Sequence, residues 1–249
     1  MIDIFKGFAL SVSMLTTIPF FKIHNFYKGI NGYAVMFYPL IGFLLGLILW
    51  GIFTFLHNLL PIMHLSIIIF ALLVLLTGAI HLDGFSDTVD GLFVSKEKSL
   101  EVMKDPNTGG MGMIFSVVFL LLKASTITSI LILDSELIYL LPIVLMLSRF
   151  NAIIAIYFYP YVSKNGIASL AKEELKLFQV IIATIYVTTL SFLFQQTYLI
   201  LFSLIILFLI SIFFIKRYKG FTGDIYGFSI EVTELILLNI LLFVNSTLY

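Results

Sequence analysis

Lysine and arginine fill every second loop between a series of long apolar runs, and few architectures accommodate that alternation. Seven runs reach membrane length, at about 33–56, 62–80, 112–133, 137–159, 178–194, 198–215 and 228–248. Lys6, Lys22 and Lys28 precede the first run, and Lys96, Lys98 and Lys104 separate the second from the third. Lys164, Lys172 and Lys176 follow the fourth, and Lys216, Arg217 and Lys219 follow the sixth. The intervening loops near 57–61, 134–136 and 195–197 carry no basic residue, and neither does the carboxyl terminus. The pattern predicts an all-α fold, a polytopic transmembrane helix bundle lying in the lipid bilayer of the cell membrane. The basic loops and the amino terminus are expected on the cytoplasmic side, with the carboxyl terminus outside. One missed span would scramble the alternation, so the count and the orientation support each other.

Composition agrees: of 249 residues, 61% are hydrophobic and 11% charged, whereas a soluble domain carries roughly a quarter charged. No composition break divides the chain, so residues 1–249 are read as one membrane domain. Residues 5–21 are apolar but are flanked by Lys6 and Lys22 and interrupted by Pro19, which predicts an interfacial or re-entrant helix. The absence of cysteine excludes disulfides and thiolate metal sites. A net charge of zero gives no basis for nucleic-acid binding, and none is expected.

Directly after the second run stands His81-Leu-Asp-Gly-Phe-Ser-Asp-Thr-Val-Asp-Gly91. In a helix the spacing of four and then three residues sets Asp83, Asp87 and Asp90 on one face. Three carboxylates crowded at a membrane edge call for a positive partner, and Mg²⁺, which combines a few carboxylates with substrate phosphate oxygens, suits them. Gly84 and Gly91 leave room on the shoulder of that face for a ligand or a neighbouring helix. His81 is expected on the opposite face, and the four histidines show no ligand spacing.

Asp224, Glu231 and Glu234 form a second acidic group at the mouth of the seventh run. They are read as a second metal-binding or metal-orienting set, although carboxylates there also complement a helix dipole. Lys104, Asp105, Asn107 and Gly109 belong to a glycine-rich turn opening the third run, where bare N–H groups suit an anion or a flexible entry loop. Lys123 and Arg149 lie within runs. Arg149 is suited to grip a phosphate or to pair with one of these acids, and Lys123 to neutralise a buried carboxylate. The many phenylalanines are assigned to lipid contact and packing, and Tyr157, Tyr159 and Tyr161 to the interface.

Taken together, these segments resemble the cobalamin synthases (adenosylcobinamide-GDP ribazoletransferases). The stretch Gly78–Leu92 is similar to that family's H-L-D-G-x-x-D-x-x-D-G signature. Leu100–Gly109, Ser148-Arg149 with Tyr157–Gly166, and Phe221–Glu234 resemble further blocks in the same order, and Leu15–Pro19 resembles the family's opening. The chain departs from the pattern at Thr17, Pro106 and Asn107. The resemblance implies Mg²⁺-dependent transfer from adenosylcobinamide-GDP to α-ribazole or its 5′-phosphate, with release of GMP. It further implies that Asp83, Asp87 and Asp90 hold the metal, with Asp224, Glu231 and Glu234 completing the site or accepting a proton. Arg149 and Lys104 would steady charge on phosphate or leaving group, and Lys104, Asp105, Asn107, Gly109, Lys123 and Lys164 would contribute to substrate binding.

Two other readings use the same acids. A CDP-alcohol phosphotransferase needs Ala-Arg where Val94-Ser95 stands, and needs two later aspartates that are missing. A cation-coupled transporter would place its acids at mid-membrane in broken helices, whereas these gather at one rim.

Overall fold

A computed structural model describes residues 2–21, 27–163 and 166–246. In chain order the helices are α1 (Ile2–Leu15), α2 (Ile30–Met36), α3 (Tyr38–Leu56), α4 (Ile62–Leu76), α5 (Ile80–Leu92) and α6 (Lys96–Val102). They continue as α7 (Gly110–Leu133), α8 (Leu141–Phe158, entered through a 3-10 turn Ser135–Leu140), α9 (Ile167–Glu174), α10 (Leu177–Leu193), α11 (Tyr198–Tyr218) and α12 (Gly223–Ser246). The molecule is thus a polytopic helical bundle. Five helical segments are long and apolar enough to cross a membrane, and the bent pairs α4–α5 and α9–α10 bring the number to seven.

At the centre runs α8, which is buried around almost its whole circumference, its Ser148, Arg149 and Asn151 included. Helix α3 approaches α8 through Gly42 and Gly46, where a methyl group would overlap the Leu145 carbonyl and the Pro142 backbone. Small residues four apart permit this contact, as in other membrane helix pairs.

The second apolar run behaves differently from its expected continuous span. Helix α4 stops at Leu76, Gly78 and Ala79 both adopt the left-handed region (φ 61° and 54°), and α5 leaves at 82°. The break frees carbonyl groups that need partners. Thr17 supplies them, its hydroxyl donating to Leu75 O (3.0 Å) and its N–H to Leu76 O (2.8 Å). The residue that departs from the family pattern therefore seals the bend that sets the direction of α5.

Helix α1, at 14 residues, is too short to span a bilayer. It buries Ala9, Leu10, Val12 and Leu15 while Phe5 on the helix and Phe20 and Phe21 beyond it stay exposed. It ends at Leu15, ahead of Pro19, where the Thr16 hydroxyl turns back to Val12 O (2.8 Å).

Two distant loops are joined by backbone bonds. Phe221 N–H donates to Pro160 O (2.8 Å), and Val162 N–H donates to Phe221 O (2.9 Å). This parallel bridge fixes the start of α12 beside the end of α8.

Candidate active site

Helices α5 and α12 cross where each carries a glycine. A Cβ at Gly84 would meet the Asp224 backbone at 2.9–3.3 Å, and one at Gly227 would meet the His81 carbonyl at 3.0 Å. Gly84 thus admits a neighbouring helix. The close approach sets Asp224, in the first turn of α12, beside the acidic face of α5. The charges bearing on Asp87 are those of Asp83, Asp224 and Asp90, all of one sign. Asp83 is exposed, while Asp87 and Asp224 are half-buried. Among the described residues, no Lys or Arg lies within ion-pair distance of these three; Lys104 acts on Asp224 only at longer range.

Asp83, Asp224, Lys104 and His81 line one cavity of about 900 Å³. His81 is buried although Asp83 is exposed, so the two do sit on different sides of α5. Both still reach the cavity, because it wraps around the start of the helix.

Asp90 has a different role in this arrangement. It is buried, and its two carboxylate oxygens accept from Gly109 N–H and Gly112 N–H, each at 2.7 Å. The helix start that suited either an anion or a flexible entry loop is therefore occupied by the protein's own carboxylate, which ties α7 to α5. Asp105 and Asn107 engage each other: the Asp105 carboxylate accepts from the Asn107 N–H and side-chain amide, both at 2.9 Å. Those bonds hold it below the usual carboxylate range. Neither residue lines the cavity. Lys164 lies outside the described residues.

Deeper along α12, Glu231 and Glu234 are buried with two cations. Lys123, from α7, donates to Glu231 (2.7 Å) and Glu234 (2.5 Å). Arg149, from α8, pairs with the other oxygen of Glu234, which also accepts from the Ser148 hydroxyl at 3.1 Å. Of the alternatives open in the sequence, the structure takes internal pairing for both cations. Glu231, Glu234, Lys123 and Arg149 neutralise one another across three helices, which leaves the two glutamates poorly placed to serve as metal ligands. Ser148 gives no sequence signal beyond its neighbour.

The carboxylates with no compensating charge are therefore Asp83, Asp87 and Asp224. Hard oxygen donors of this kind suit Mg²⁺. Among the described residues, no group of three carboxylates or histidines is placed to hold a metal ion. An ion held here would draw part of its shell from water and from a ligand.

Comparison with known proteins matches residues 7–242 to the cobalamin-5-phosphate synthase family model. A protein of Acinetobacter baumannii (strain ACICU), named adenosylcobinamide-GDP ribazoletransferase, is 38% identical over 88% of this chain and 89% of its own length. Proteins of the same name from Desulfitobacterium hafniense (33% identical, 81% and 83%) and Treponema denticola (33%, 96% and 98%) are also similar. No solved structure matches the chain.

Proposed function

This chain belongs to the cobalamin-5-phosphate synthase family, and from that premise we propose that it joins the two halves of a corrinoid cofactor. A hydroxyl of α-ribazole, or of its 5′-phosphate, attacks the phosphorus nearest the cobinamide in adenosylcobinamide-GDP. The new P–O bond replaces the pyrophosphate linkage, GMP leaves, and a phosphodiester of adenosylcobalamin or its 5′-phosphate results. The observation that carries this reading is the convergence of uncompensated carboxylates, through the Gly84–Gly227 crossing, at the mouth of one large cavity.

Asp83 and Asp87, one helical turn apart, are the residues suited to hold Mg²⁺. When bound, that ion supplies positive charge to pyrophosphate oxygens. Asp224 faces them from α12 and lines the cavity, so it takes the proton of the incoming hydroxyl. Lys104 at the same mouth steadies the departing GMP phosphate. The site faces the cytoplasm, as the basic loops dictate. Purified full-length protein in detergent, given adenosylcobinamide-GDP, α-ribazole and Mg²⁺, is expected to release GMP and form the joined corrinoid. Failure to form that product, or formation unaffected by chelation of divalent ions, refutes the reading.

A further inference from the structure

The cavity has two kinds of wall. Its mouth is charged, but its inner surface is apolar and includes Met14, Leu15, Ala152, Ile156 and Ile230, from α1, α8 and α12. The mechanism above uses only the mouth. Beside the apolar part stands a column of nearly parallel rings: Tyr159 on Phe221 (5.4 Å, 11°), Phe221 on Tyr226 (5.4 Å, 18°) and Tyr226 on Tyr161 (6.1 Å, 15°). Tyr161, at one end of that column, and Tyr226 next to it line the cavity. Two polar atoms near it lack any partner, the Tyr226 hydroxyl and His81 Nδ1, on residues each 5% exposed. Buried polar groups are nearly always satisfied; both atoms are sealed from the cavity that their residues line, and a small side-chain rotation toward a ligand would relieve them.

From this arrangement we infer that the inner cavity is the seat of the acceptor's benzimidazole base, and that the corrinoid and the guanine remain outside it. The inference rests on the transfer reaction proposed above. A glycosylated benzimidazole is flat, has an apolar edge, and keeps one free ring nitrogen that accepts a single hydrogen bond. A small rotation of Tyr226 or His81 would turn its unpartnered group toward that nitrogen as a donor. Guanine presents several donors and acceptors around its edge, and an apolar wall would leave most of them unpaired. A cavity of about 900 Å³ encloses a drug-sized molecule, which a corrin ring with its nucleotide arm exceeds. With the base seated inward, the ribose lies toward the mouth, where Asp224 meets its hydroxyl and the pyrophosphate arrives from outside.

The test is the Michaelis constant of each substrate separately, for the full chain in detergent. Ala152→Phe fills the inner cavity and is expected to raise KM for α-ribazole roughly ten- to hundredfold. Tyr226→Phe removes one oxygen and is expected to raise it roughly five- to tenfold. KM for adenosylcobinamide-GDP stays unchanged in both. A rise in the corrinoid KM, or no change in either constant, overturns the inference. Should Ala152→Phe fail to fold by size-exclusion and melting, Tyr226→Phe decides alone by the same criterion. Quenching of benzimidazole fluorescence, measured with both substrates present, separates this inference from the reaction itself. Binding by the original protein that is weakened in the variants upholds the base site even without turnover. Absence of binding refutes the base site, whether or not GMP is released.

Discussion

Two acidic groups meet along a single stripe of α12, and they have opposite fates. Asp224, Gly227, Glu231 and Glu234 follow one another at spacings of three and four, so they share one helix face. Asp224 and Glu231 are separated by about 10 Å of helix rise. At the outer end Asp224 meets Asp83 and Asp87, and among the described residues no cation lies within ion-pair distance of them. At the inner end Glu231 and Glu234 meet Lys123 and Arg149. The difference teaches that an acid's role here depends on what the facing helix supplies. Helix α5 brings more acid and creates a demand for a cation. Helices α7 and α8 bring the cations and satisfy the demand within the fold.

The sharpest way to break this comparison is to remove charge at the outer end. Asp87→Asn is expected to lower turnover on the order of a thousandfold. The melting temperature in detergent should hold or rise, because like-charge repulsion is relieved. Near-normal turnover would place the outer acids outside the chemistry.

The inner end should respond in the opposite sense. Glu234→Gln leaves Lys123 and Arg149 buried with one carboxylate between them, and is expected to cost about 3–5 kcal/mol of stability. Adding Arg149→Met to the same chain removes the surplus charge and should recover most of the loss, a non-additivity that a double-mutant cycle reads directly. A variant that melts normally but does not turn over would move the inner network into catalysis.

The smallest change sharpens the comparison at the helix crossing. Gly84→Ala places a methyl against the Asp224 backbone, with an expected cost of about 1–3 kcal/mol. Turnover should fall by about tenfold, because separating α5 from α12 by tenths of an ångström misaligns the outer carboxylates. Pairing at Glu231 and Glu234, remote from the crossing, should be unaffected. Unchanged turnover in a chain that melts lower would show that the crossing is only packing.

Much of the fold could be read before the structure, because apolar length and loop charge are local properties of sequence. All seven apolar runs became helix, and α5 took the helical form that its aspartate spacing implied. The bend was not legible. Gly78 hints at it, but the left-handed Ala79 carries no sequence signal, and the Thr17 bonds come from a segment remote in the chain. The same limit explains the site. The spacing of Asp83, Asp87 and Asp90 gave them one face but could not show that Gly109 and Gly112 would claim the third. Lys123 and Arg149 were open to two roles, because which acid each meets depends on three helices packing together. Two of the tyrosines read as interfacial, Tyr159 and Tyr161, belong to a stacked column. Side-chain stacking of that kind is invisible in composition.

The Gly84–Gly227 crossing also sets an order of assembly. Helix α5 is made well before α12, and chains emerge at roughly 5–20 residues per second. For several seconds the nascent chain therefore holds Asp83 and Asp87 without Asp224 beside them. A translation product interrupted before α12 would retain most of the bundle yet lack Asp224 and the wall that α12 gives the cavity.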